Sequence, residues 1–160
     1  MAADSKLTSP LSEKQTTIWA LIRKGQSVTG IAQKLKTTRQ FVNQTKLAAE
    51  AKLSSTLLDV AQANHIQVVK LSPLEGILLG YHPGLKRKAI ITYSAKQGIK
   101  VWYWFDNPEE VTNQEFLSQT RTYILEFAAE RGLRIDDAKR MHASKLAHIV
   151  FTRLIPELNA

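Results

Sequence analysis

The chain has 160 residues, 44% of them apolar, and sets 22 Lys+Arg against 14 Asp+Glu, for a formal net charge of +8. That length allows one domain or two small ones with a real core, and the absence of cysteine excludes disulfides, thiolate zinc sites and Cys nucleophiles. No run approaches the roughly 18–20 apolar residues of a membrane span and no leader-like segment opens the chain, so the expectation is a cytoplasmic protein without membrane contact.

Residues 1–10, with Ser, Thr and Pro and few large side chains, read as a disordered N-terminus. Ser12-Glu-Lys-Gln15 is a capping box, and Ile18, Leu21 and Ile22 follow at helical spacing up to Gly25, which predicts a first helix over about 12–24. Ser27 caps a short second helix with Val28, Ile31, Ala32 and Leu35. Lys36-Thr37-Thr38 interrupts, and Thr38 caps a third helix carrying Phe41, Val42, Thr45 and Ala49. Ser54-Ser55-Thr56 then offers a break or a weak point before Leu57, Leu58, Val60 and Ala61, and Asn64 ends the helical part.

Beyond Asn64 the apolar period changes from 3.6 to 2. Gln67–Leu71, Gly76–His82, Lys88–Ser94 and Ile99–Phe105 read as strands separated by short turns, which suits a four-stranded antiparallel meander. Asn107-Pro108-Glu109-Glu110 is a helix start, and Thr112 with Glu115 makes a further capping box. Phe116, Tyr123, Ile124, Phe127 and Ala128 line one face up to Gly132. Asp136 or Asp137 opens a last helix with Met141, Leu146, Ile149, Val150 and Leu154. The expected fold is α+β: an all-α tetrahelical domain over 11–64, then a meander with two C-terminal helices over 66–160, acting as a dimerisation or effector domain.

The positive charge is unevenly spread. Residues 1–66 hold nine basic and four acidic residues (+5), residues 67–106 six and two (+4), and residues 107–160 seven and eight (−1). A local basic field attracts polyanions whatever the fold. Residues 27–50 give part of it an address. A short helix with Ile31-Ala32 and Leu35, a three-residue interruption and a capped helix with Val42 inside make a helix-turn-helix, in which small Ala32 lets the helices cross closely. The helix from Thr38 offers Arg39, Gln40, Asn43 and Gln44 to base edges, with no acid from 37 to 49; Asn and Gln suit adenine and Arg suits guanine. Ser27, Lys36, Thr37, Thr38 and Lys46 surround it as phosphate ligands.

Leu11-Ser-Glu-Lys-Gln…Ile18…Leu21…Gly25-Gln-Ser27…Gly30-Ile-Ala-Gln-Lys-Leu35…Thr38…Val42…Leu53 resembles the tetrahelical DNA-binding domain of LuxR-type regulators, with a similar pattern in sigma-factor region 4 and archaeal Tfx-type proteins. The resemblance spans Leu11 to Leu53. It departs at Gly30, where an acidic residue usually stands, and at Lys36-Thr37, which lacks the common Gly or apolar residue. It implies a sequence-specific duplex-binding transcriptional regulator, and one helix reads too few base pairs alone, so a homodimer on paired half-sites is expected. The helix around Leu57–Ala61, or the C-terminal domain, would make that dimer.

Other features read two ways. The tip Gly84-Leu-Lys86-Arg87-Lys88 is a wing on the phosphate backbone or a solvated turn that discourages edge pairing. Trp102 and Trp104, on one face of their strand, belong to core packing, to a dimer contact or to a pocket for a small-molecule effector. Enzyme chemistry finds no footing: His65, His82, His142 and His148 lack metal spacing, no nucleophile elbow or phosphate-binding Gly-rich loop occurs, and the expectation is no metal, cofactor or catalytic residue. The alternative class is a non-enzymatic adaptor or RNA-binding module whose helical bundle binds protein or RNA.

Overall fold

A computed structural model describes residues 9–106 and 114–159. Helices α1 (Glu13–Arg23), α2 (Val28–Lys34) and α3 (Arg39–Ala63) precede strands β1 (Gln67–Ser72), β2 (Ile77–His82), β3 (Arg87–Ser94) and β4 (Gly98–Tyr103), and helices α4 (Gln114–Glu130) and α5 (Ala143–Leu154) follow. The chain is therefore α+β, with the strands joined as an antiparallel meander in the order β1-β2-β3-β4. It divides into two compact units, one ending at Trp104 and the other beginning at Phe105. The boundary expected at 64–66 falls inside the first unit, because α3 supplies the apolar cover for the sheet.

Side chains start α1, α2 and α3 where the sequence predicts. Gln15 N–H donates to Ser12 Oγ at 3.2 Å, and Gln15 Oε1 accepts from Ser12 N–H at 3.0 Å, closing the capping box of α1. Gly30 N–H donates to Ser27 Oγ and Phe41 N–H to Thr38 Oγ1, both at 3.0 Å. The helix ends share one device, in which the second residue past the cap bonds back to a carbonyl of the last turn. Gln26 N–H donates to Leu21 O, Thr37 N–H to Ala32 O, and Ile66 N–H to Ala61 O. The device needs a left-handed residue. Gly25 supplies it after α1, but Lys36 (φ 55°) and His65 (φ 57°) supply it after α2 and α3. A non-glycine residue there costs roughly 1–2 kcal/mol.

The third and fourth expected helices are one. α3 runs 25 residues without a break, and Thr56 Oγ1 donates to the Lys52 carbonyl at 2.7 Å instead of capping a new start. Its continuity follows from packing on both sides of the serines. Leu53 joins Leu11, Trp19, Ala49 and Tyr93, while Leu57 and Ala61 join Ile66, Leu78, Ala89 and Ile91. Leu57 and Ala61 are thus committed to the sheet, so the face expected to pair with a second copy is spent inside the unit. The turn into β1 is tight: a Cβ on Gly80 would stand 2.5 Å from the Gln67 carbonyl oxygen and closer still to Ile66 Cγ2. The register skips Val69 between Val68 and Lys70, a bulge on an edge strand.

Helix α1 is tied to the β1–β2 turn as well. Trp19 Nε1 donates to the Pro73 carbonyl at 3.1 Å, Arg23 pairs with Glu75 at 2.8 Å, and the Trp19 and Tyr93 rings meet edge to face at 5.1 Å. In the second unit, α4 and α5 pack through Tyr123, Phe127 and Phe151, with the Arg131 guanidinium 3.6 Å above the Phe127 ring. The last helix does not open at Asp136 or Asp137. Asp137 takes a left-handed conformation before a short 3₁₀ turn, Ala138–Arg140, and His142 caps α5. Arg121 holds that turn by donating to the Ala138 and Met141 carbonyls. The helix start expected at Asn107–Glu110, and Thr112 and the side chains of Glu115 and Phe116, lie outside the described residues.

Candidate nucleic-acid interface

Ile18, Ile31, Ala32 and Val42 form one buried cluster, flanked by half-buried Leu21, Ile22 and Val28. Ala32 has no side chain beyond Cβ, so α3 crosses α2 closely, and Val42 turns inward while its neighbours turn out. Arg39, Gln40, Asn43 and Gln44 are all solvent-exposed on the first two turns of α3. No acid occupies the first turn of α3, nor that of α2. The departure at Gly30 bears on this: it is the third residue after the cap, where a capping-box carboxylate would otherwise sit, and its Cβ would press on Ser27 Oγ at 3.2 Å.

The expected phosphate ligands gather around that face in unequal condition. Lys36 is exposed at the left-handed turn position between the helices. Ser27 and Thr38 are exposed, and their oxygens accept backbone N–H bonds as caps, which leaves each hydroxyl proton able to donate outward. Thr37 is half-buried. Lys46 reaches Glu50 one turn on at 3.9 Å, a surface pair of small energy that competes with a phosphate. One basic residue escaped the sequence reading: Lys14 of α1 stands 5.4 Å from the centre of the Phe41 ring, which brings a cation to the start of α3. Its position depends on how α1 crosses α3, and no local pattern announces it.

Two other predicted groups lie elsewhere. Lys86, Arg87 and Lys88 sit at the β2–β3 tip, and Arg87 donates to the Trp104 carbonyl at 3.2 Å. Tip and strand lead away from Ala89, which packs with the C-terminal half of α3. Lys86, Arg87 and Lys88 therefore lie toward the C-terminal end of α3 and not beside Arg39 to Gln44. Trp102 and Trp104 are 8% and 9% exposed. Trp102 Nε1 donates to Thr92 Oγ1 at 2.9 Å, and the Lys100 ammonium lies 4.7 Å from its ring centre. Burial lowers the Lys100 pKa below its ordinary 10.5.

Among the described residues no three His, Asp or Glu side chains group as a metal ion would require, and no helix is long and apolar enough to cross a membrane. No protein-family model matches the chain, and neither a curated protein nor a solved structure matches it.

Proposed function

We propose that the protein is a sequence-specific double-stranded DNA-binding regulator of transcription that enters the major groove with the first two turns of α3. The observation that carries this reading is the exposed set Arg39, Gln40, Asn43 and Gln44 on a helix whose opposite side is locked by Val42 into the α1–α2 cluster. These planar polar groups match the donor and acceptor patterns of base edges, and a rigid helix holds them in fixed spacing. Lys36, Ser27, Thr38 and, with its Glu50 partner displaced, Lys46 take the flanking phosphates. Two copies on paired half-sites supply the specificity that one helix lacks. No catalytic residue or cofactor enters this reading.

Retardation of labelled duplex at near-physiological salt tests it, with single-stranded RNA in parallel. Binding to duplex with discrimination among sequences supports the proposal. Absence of duplex binding, with capture of RNA or of a protein partner, replaces it by the adaptor or RNA-binding alternative.

A further inference from the structure

The packing of α3 on β3 sets a register between them. Tyr93 packs with Ala49 and Leu53, while Ile91 and Ala89 pack with Leu57 and Ala61, so helix and strand run in opposite directions. Two strand residues advance about 6.6 Å, close to the roughly 5.4 Å of one helical turn. Each step along β3 therefore falls beside one turn of α3. One step beyond Tyr93 brings Ala95 and Lys96 level with the turn from Thr45 to Ala49, adjacent to the one that holds Asn43 and Gln44. Partly buried Ala95 and Ile99, packed against the cluster of Leu11, Trp19, Ala49 and Leu53, hold the β3–β4 turn there. The turn itself is closed by the Gln97 N–H donating to Ser94 Oγ at 3.0 Å and by left-handed Gly98.

The turn also stands on the correct flank. At about 100° per residue, Arg39 lies within about 40°, and Asn43 within about 80°, of sheet-facing Leu53 around the helix axis. Lys96 and Gln97 are exposed at its tip. By the same register the β2–β3 tip, with Lys86 and Lys88, lies past the C-terminus of α3, about 30 Å along the axis from Asn43.

We infer that the β3–β4 turn is a second DNA-contacting element, with Lys96 Nζ on a phosphate bordering the groove that α3 enters, and that the basic β2–β3 tip stays off the DNA. This rests on the major-groove reading above and adds a contact to it. Lysine suits the role because a flexible point charge neutralises a phosphate without reading a base.

The test is the salt dependence of binding to a short duplex carrying a selected site, for the unaltered protein, Lys96→Gln and the double variant Lys86→Gln/Lys88→Gln. Lys96→Gln lowers the salt slope by about 0.9, so a four-fold rise in salt costs it about 3.5-fold less affinity than the unaltered protein loses. Base preference stays the same, and the double variant keeps the full slope. An unchanged slope for Lys96→Gln, or a slope lost only by the double variant, overturns this inference and leaves the major-groove reading standing. Failure of the unaltered protein to bind any duplex overturns both.

Discussion

The two halves of α3 do opposite work on one continuous helix. From Arg39 to Leu47 the residues are mostly exposed, with Val42 as the inward anchor; from Ala49 to Ala61, Ala49, Leu53, Leu57 and Ala61 are buried against α1 and the sheet. The first half faces outward, and the second is held in the core. A recognition surface on a helix clamped over its other half cannot tilt independently of the sheet. That rigidity is what a fixed spacing of base contacts requires.

Substitutions can break the comparison from its held end first. Leu53→Ala or Leu57→Ala removes a fully buried side chain at the junction of helix and sheet, and the expected loss is about 2–5 kcal/mol of stability. Urea unfolding followed by tryptophan fluorescence measures it, and a loss near zero would show that the sheet does not hold the helix. Gly80→Ala acts on the same end by overpacking, with about 1–3 kcal/mol expected because the Gln67 carbonyl cannot yield as a side-chain tip would. At the reading end, Asn43→Ala leaves stability within about 0.5 kcal/mol. It costs about 1–3 kcal/mol of discrimination at one or two base positions, visible in competition among single-base variants of a site.

The smallest effect separates stability from function at one residue. Lys36→Gly relieves the left-handed strain and raises stability by about 0.5–1 kcal/mol, while weakening binding to every duplex alike. His65→Gly, which relieves the same strain at the other end of α3, raises stability with no change in binding. Thermal melting paired with duplex titration resolves the two. Equal effects on binding would remove Lys36 from the interface.

Much of this arrangement was legible in the residue order. Ser12, Ser27 and Thr38 mark helix starts because a hydroxyl before an apolar-periodic run has a local job, and the four strands follow from a two-residue period between turn residues. What was not legible depends on tertiary choice. Nothing local tells Ser54-Ser55-Thr56 to stay helical; Leu53 and Leu57 decide it by packing into two neighbouring core clusters. Neither does the sequence say which hairpin tip lies toward the N-terminal half of α3. The basic run Gly84–Lys88 is conspicuous in the residue order, yet the direction of β3 against α3 places it toward the C-terminal end of that helix. His142 replaced the expected Asp cap of α5 because Asp137 is used to turn the chain.

The central claim is that the first two turns of α3 read base edges, and selection of duplexes from a random pool by the unaltered protein, Arg39→Ala and Asn43→Ala tests it most directly. The account predicts a defined site for the unaltered protein and, for each variant, relaxed preference confined to one or two positions of that site. A site unchanged by both substitutions, or no enriched site at all, would contradict it.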